Sequence, residues 1–345
     1  MTATSFHCYL VAESADDEIV TSIASQERSD LPDGDVLIRV THSSLNYKDA
    51  LAATAHRGVV RSLPHVPGID AVGNMLESTS EQWSTGDDVL VTGCGLGSDQ
   101  WGGWSELIRV PAAWVVRLPD NLSAVEAMTL GTAGFTAAQC VQSLQYHGVT
   151  PNAGEIVVTG ASGGVGSLAV AILAKLGYTV CAVSGKSAAH GLLRELGATE
   201  ILERSAVTDT SDKPLLKARW AGAVDTVGGN TLATLIRSMR HRGCVTACGL
   251  VGGDELPLTV YPFLLRGVTL DGIDSAACPM PSRLEIWDKL SGDWKPDQLE
   301  LIRTTVGLRD LDSCVTRMLA GQTTGRTVVD LNLAQPASSV FDLRD

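Results

Sequence analysis

Gly160-Ala161-Ser162-Gly163-Gly164-Val165-Gly166 is the stretch on which the fold turns. A short β-rich run, Glu155–Val158, leads into it. Val165, Leu168, Ala169, Ile172, Leu173 and Leu176 follow at i, i+3/4 and i+7, the stripe of a buried helix. Gly177 stands where a left-handed residue ends a helix. Ala161 to Gly166 is therefore a G-x-G-x-x-G with alanine in the first place, set between a strand and a helix. Glycines at these positions let the backbone approach a pyrophosphate, and the helix offers its positive N-terminus to it. A glycine pattern alone would be a weak signal; the strand before and the helix after are its confirming context.

The alternation continues downstream. Tyr178–Val183 reads as the next strand, and a short helix ends at Leu196 with Gly197 as its stop. Thr199–Leu202 and Gly222–Val227 read as the third and fourth strands, and Gly243–Cys248 and Val268–Ile273 as the fifth and sixth. Leu232, Leu235, Ile236 and Met239 mark another helical stripe. Six apolar strands separated by helices predict an α/β domain with a doubly wound parallel sheet. Its first helix opens at the capping box Ser123-Ala124-Val125-Glu126.

Upstream the pattern differs. Val36–Val40, Gly73–Glu77, Asp88–Thr92 and Leu107–Val110 are short strands spaced by Gly, Pro, Asp and Ser, which predicts a β-rich domain of barrel type. After the sixth strand, Ser282-Arg283-Leu284-Glu285 reads as a capping box opening a helix, and Gly325–Leu331 as a final strand. The expected division places 1–122 and 276–345 in the first domain and 123–275 in the dinucleotide-binding one.

A chain of 345 residues suits two domains at ~150 residues each. A net charge of −13 disfavours nucleic acid and anionic membrane surfaces, which want clustered Lys and Arg. Met1 to Leu10 has neither a basic start nor an apolar core, and the helix Val165–Leu176 carries Lys175 and is too short to span a bilayer. No membrane association is expected, and the cytoplasm is the expected compartment. The 8 cysteines include no Cys-x-x-Cys pair, so buried free thiols are expected rather than disulfides.

The choice of dinucleotide is read at the end of the second strand. An NAD site wants Asp or Glu there for the ribose 2′-hydroxyl. This chain has Ser184-Gly185-Lys186, and Arg204 follows the third strand. A hydroxyl, a backbone N–H and an ammonium suit a 2′-phosphate that a carboxylate would repel, so NADP(H) is the expected cofactor.

Several further stretches carry a resemblance. They are Ser44-Leu45-Asn46-Tyr47-Lys48-Asp49-Ala50, Val66-Pro67-Gly68-Ile69-Asp70, Trp101-Gly102-Gly103, Gly131-Thr132-Ala133-Gly134-Phe135-Thr136-Ala137, Arg266-Gly267-Val268 and Gly325-Arg326-Thr327-Val328-Val329. In this order they resemble the medium-chain dehydrogenase/reductase superfamily, within it the quinone-oxidoreductase-like branch that includes acrylyl-CoA reductases. The resemblance implies a GroES-like N-terminal domain and a Rossmann domain. It puts cofactor contacts at Tyr47, Ser162, Gly163, Gly164, Val165, Ser184, Gly185, Lys186, Arg204, Leu250, Leu264 and Ser275. The chain departs from the branch at Gly321, where an asparagine is usual. It departs again at Cys94, Ser98 and Gln100, where Trp, Glu and His are usual. Many relatives dimerise through the sixth strand, so a homodimer is expected.

Zinc alcohol dehydrogenases share this architecture. Here Leu45-Asn46-Tyr47 stands in place of their early thiolate, Pro67-Gly68-Ile69-Asp70 in place of His-Glu, and no cysteine lobe exists. A zinc ion lacks its soft ligands, and no metal is expected. His42, His56 and His65 read as surface or hydrogen-bonded core residues.

The implied reaction delivers hydride to the β-carbon of an enoyl thioester such as acrylyl-CoA and a proton to its α-carbon. Such a site needs hydrogen-bond donors near the thioester oxygen and a proton source. Tyr47 is the first candidate, as donor or as a shelf for the nicotinamide, with a purely structural tyrosine as the alternative. Asn46 is a second donor, Lys48 a source of charge, and Arg57 and Arg61 partners for the CoA phosphates. A quinone or general enone reductase on the same fold remains open, as does a non-catalytic NADPH-binding protein.

Overall fold

The computed structural model describes residues 5–333. Residues 1–4 and 334–345, the outer parts of the expected first domain, lie outside the described residues. The first strands are β1 (Ser5–Glu13) and β2 (Ile19–Glu27), an antiparallel hairpin with Ser5 opposite Glu27. Sequence reading passed over this hairpin. In β2 every residue is exposed or half-buried, so no alternation of apolar and polar residues marks it.

The strands β3 (Val36–Leu45), β4 (Asp70–Ser78), β5 (Asp88–Thr92), β6 (Leu107–Val110) and β7 (Val116–Arg117) follow, with α1 (Tyr47–Ala53) between β3 and β4. β3 and β4 are longer than expected, because β3 is the central strand and its polar residues are covered too. Its Leu37 and Leu45 join one core with Phe6, Tyr9 and Trp104, whereas Val36, Ile38 and Val40 face a second core with Met75 and Val91. That split follows the two-residue period of a strand. Trp104 is fully buried, donates its indole N–H to the Ser44 carbonyl at 2.9 Å and meets Tyr9 edge-on at 5.3 Å.

The parallel elements are α2 (Ala124–Tyr146), β8 (Ile156–Val158), α3 (Gly164–Lys175), β9 (Val180–Val183), α4 (His190–Glu195), β10 (Glu200–Leu202), β11 (Trp220–Asp225), α5 (Gly229–Arg237), β12 (Met239–Ala247), α6 (Tyr261–Arg266), β13 (Thr269–Gly272), α7 (Met280–Ser291) and α8 (Leu299–Ile302). The sheet order is β10-β9-β8-β11-β12-β13 and every pair is parallel. Ile156, Val157 and Val158 are each fully buried, as strands covered on both faces must be. Ser123 caps α2 as expected, its hydroxyl accepting from Glu126 N at 3.3 Å.

β14 (Arg303–Val306), α9 (Leu311–Leu319) and β15 (Arg326–Asp330) complete the chain, and the other sheet runs β14-β15-β3-β4-β5-β7 with β6 on β3.

Two compact units result. Among the described residues the first comprises 5–118, 304–322 and 327–333, and the second 119–303 and 323–326. The expected division differs at residues 119–122, 276–303 and 323–326, which cluster with the parallel sheet. There Trp287 on α7 stacks 6.1 Å from Phe135 on α2, with the Arg283 guanidinium 4.8 Å from the same Phe135 ring. The expected capping box at Ser282 is corrected as well. α7 begins at Met280, with Pro281 in its first turn, so Ser282 already lies inside the helix. All 8 cysteines are free.

Candidate functional site

The glycine loop joins β8 to α3. Gly160 has φ +55 and takes the tight turn, one residue before the motif's own first position. That displacement accounts for alanine at position 161. Gly166 permits the close approach of helix to strand: a Cβ there would lie 2.3 Å from the Gly160 carbonyl oxygen. Gly163 is the N-cap of α3 and no side chain caps the helix. The first amides of α3 are left for an anion, which the helix dipole also favours.

The end of β9 lies beside this loop. Ser162 and Ser184 are both buried, and their hydroxyls are 3.1 Å apart. Lys186 N donates to the Ser184 hydroxyl at 3.1 Å. Arg204 comes so close to Gly185 that a Cβ there would lie 2.8 Å from its Nε. Burial, and then the Arg204 charge, lower the Lys186 pKa, so the two cations share one neighbourhood. Among the described residues neither pairs with a carboxylate, whereas Glu200 and Asp209 are taken by Arg219 and Arg237. Two adjacent cations, two buried hydroxyls and an uncapped helix together have the chemistry an anion would need.

Leu250 follows β12 and Ser275 follows β13, both beyond the carboxyl ends of strands, the side on which such sheets bind ligands. Leu250 and the α6 residue Leu264 are exposed, and the Ser275 carbonyl accepts from Arg283 at 3.1 Å. Sequence reasoning read Gly325 and Arg326 as the head of the final strand and gave 323–326 no part in the site. There the Thr323 carbonyl accepts from Lys186 Nζ, Gly325 N donates to the Ser162 carbonyl at 2.9 Å, and Arg326 Nε donates to the Thr129 carbonyl at 2.9 Å. The Arg326 bond caps the first half of α2, which breaks at Gly131 (φ 49, ψ −155). Sequence proximity offered no signal, since these residues meet the loop across some 160 positions.

In the first unit Tyr47 is the first residue of α1 and is exposed, and Lys48 is half-buried. Asn46 is turned inward. Its amide donates to Asp70 at 2.8 Å and to Asp49 and Ser44 at 3.1 Å, so its donors are held inside the unit. The buried Asp49 carboxylate accepts from the backbone N–H groups of Asn46, Gly68 and Ile69 at 2.7, 3.1 and 2.7 Å. It ties the start of α1 to the 67–70 turn. Burial, then the Asp70 charge, push the Asp49 pKa up to about 7 against the pull of those amides. Arg57 is exposed; Arg61 is exposed and pairs with Asp99 at 2.9 Å.

These positions do not fit a zinc ion. An amide committed to two carboxylates stands where a thiolate would be needed, and Ile69 where an imidazole would. His65 is buried, with Nε2 3.0 Å from the Gly97 carbonyl; His42 is half-buried 3.2 Å from the Thr41 hydroxyl; exposed His56 accepts from Gly58 N. Glu155, Cys181 and Glu200 have ligand atoms within 4.8 Å of one another, but Arg219 already bridges the two carboxylates at 3.6 and 2.7 Å.

Fold and loop together define a dinucleotide-binding α/β protein of two units. Residues 32–120 match the alcohol dehydrogenase GroES-like domain, and residues 164–286 match the family described as zinc-binding dehydrogenase. The chain is 45% identical over 323 residues to the probable acrylyl-CoA reductase AcuI of Escherichia coli (strain K12), covering 94% of this chain and 99% of that one. It is also 45% identical to the putative quinone oxidoreductase YhfP of Bacillus subtilis (strain 168), over 93% of this chain and 98% of that protein. YhfP has been solved with NAD bound, and superposes with a TM-score of 0.92 over 95% of this chain and 100% of that one. The YhdH oxidoreductase of Salmonella enterica, solved in complex with NADP, is 46% identical with a TM-score of 0.91, covering 94% and 99% of the two chains. The chain belongs to the medium-chain dehydrogenase/reductase superfamily.

Proposed function

We propose that this protein is a zinc-independent, NADPH-dependent reductase of a carbon–carbon double bond conjugated to a carbonyl, with acrylyl-CoA as the favoured substrate. The observation that carries the reading is the Lys186–Arg204 pair beside Ser184, two cations with no carboxylate partner among the described residues. In an acidic protein such a pair holds a ligand anion, and a ribose 2′-phosphate is the anion expected at the end of the second parallel strand. Relatives named acrylyl-CoA reductase and one solved with NADP support the same choice.

The bound cofactor supplies the hydride. The residues of the chain do the holding. Ser162 to Val165 and the N-terminus of α3 take the diphosphate. Ser184, Gly185, Lys186 and Arg204 take the 2′-phosphate. Leu250, Leu264, Ser275 and Tyr47 complete the cofactor contacts. Tyr47, exposed at the start of α1, is the donor or the shelf for the reacting region, and Lys48 adds positive charge. Asn46 acts from behind, by holding α1 to Asp49 and Asp70. Arg57 is the better of the two candidates for a CoA phosphate, since Arg61 is engaged by Asp99.

Two further proposals concern assembly and place. β13 ends the sheet order, and Leu264 and Leu265 are exposed on neighbouring α6, which supports a homodimer through this edge. Among the described residues no helix is long and apolar enough to cross a membrane, which accords with a cytoplasmic enzyme.

The test is NADPH oxidation with acrylyl-CoA, crotonyl-CoA and simple quinones at matched concentrations, repeated with NADH and after chelation. The proposal expects turnover of the thioesters, preference for NADPH and no loss to chelator. The name of YhfP favours the second reading, a quinone or enone reductase, and quinones turning over faster than both thioesters would establish it.

A further inference from the structure

The connection from α9 to β15 enters the second unit as Thr323–Arg326 and is pinned there at three points. The Thr323 carbonyl accepts from Lys186 Nζ, Gly325 N donates to the Ser162 carbonyl, and Arg326 reaches the Thr129 carbonyl. Gly325 has φ +68, and a Cβ there would lie 2.1 Å from the Ile302 carbonyl oxygen, so this backbone has little room to shift. The Thr323 hydroxyl is buried and has no hydrogen-bond partner.

A buried hydroxyl without a partner is unfavourable, and natural proteins rarely leave one so unless something else satisfies it. The residue carrying this one already grips the cation of the anion site. An ammonium has three N–H donors, and the Thr323 carbonyl takes one, which fixes its direction and leaves two for a ligand. One residue thus carries both the carbonyl that holds this ammonium and an unpartnered hydroxyl.

We propose that Thr323 is a specificity-determining residue of the cofactor site, its carbonyl aiming Lys186 and its hydroxyl donating to an oxygen of the ribose 2′-phosphate. The inference rests on the NADPH reading. It assigns to this chain a contact from outside the parallel sheet, on a segment that the strand–loop–helix motif does not include.

Calorimetric titration of the full chain with adenosine 2′,5′-bisphosphate and with 5′-AMP tests it without turnover. Thr323→Val should weaken the bisphosphate about tenfold, as loss of a hydrogen bond to a charged group does, and leave 5′-AMP unchanged. Thr323→Ser should restore wild-type binding. Unchanged bisphosphate affinity in Thr323→Val, or equal weakening of both ligands, would overturn the assignment. Wild-type protein that binds the two ligands equally would overturn the NADPH reading itself, and this inference with it.

Discussion

At the scale of single residues, two side chains make opposite uses of burial. Lys186 is held partly buried beside another cation, a costly arrangement that a ligand phosphate relieves. Lys186→Ala should therefore raise the Kd for NADPH about tenfold to a hundredfold and shift that for NADH by about twofold or less. Equal effects on both cofactors would remove the 2′-phosphate role. Asp49 is buried beside Asp70, and its pKa is raised to about 7. In the unfolded chain an aspartate loses its proton near ~4. Between those values the folded state holds the extra proton, so this group makes stability fall as pH rises from about 4 to 7. Asp49→Asn should flatten that fall and lower the melting temperature at the acid end, where the Asn46 N–H loses its acceptor. Melting curves that run parallel across the window would show that Asp49 does not titrate there.

At the scale of elements, the glycine loop shows what a motif specifies. Its three glycine positions are not equivalent. Position 161 holds alanine because Gly160 takes the turn, a Cβ at Gly163 would press on one backbone oxygen, and a Cβ at Gly166 would overlap several backbone atoms. Gly166→Ala should cost about 2–3 kcal/mol and abolish NADPH binding, because the methyl meets backbone that cannot retreat. Gly163→Ala, whose Cβ would approach only the Gly160 oxygen at 3.3 Å, should cost less. Thermal melts of the two variants check the ranking. The loop, α3 and the parallel strands were legible because strand, turn and helix are adjacent in the chain. The β2 strand of the first hairpin was not, since a strand without a buried face has no periodic signature. The start of α7 was misread because a local capping pattern at Ser282 competed with Pro281, and the fixed φ of proline set the first turn.

At the scale of the whole molecule, the edge of the parallel sheet is the feature with the largest consequence. β13 leaves one side of its backbone unpaired among the described strands, and α6 exposes Leu264 and Leu265. Unpaired edges invite another strand. The substitution Leu265→Asp should convert a dimer to monomers in size-exclusion chromatography with light scattering. Wild-type protein that elutes as a monomer at micromolar concentration would end the dimer proposal.

The local order of strands, glycine loop, helices and basic residues was enough to establish the fold class, to mark the glycine loop between strand and helix, and to show the lack of an acid after the second parallel strand. These are short-range properties, set by side-chain period and by backbone angles that only glycine adopts freely. Only the tertiary structure decided which groups stay available. It turned the Asn46 amide inward onto two carboxylates, brought Arg204 beside Gly185 and Lys186, and carried the Thr323 carbonyl to Lys186. Hydrogen bonding between segments far apart in the chain leaves no periodic trace in either one, so the partners had to be seen together.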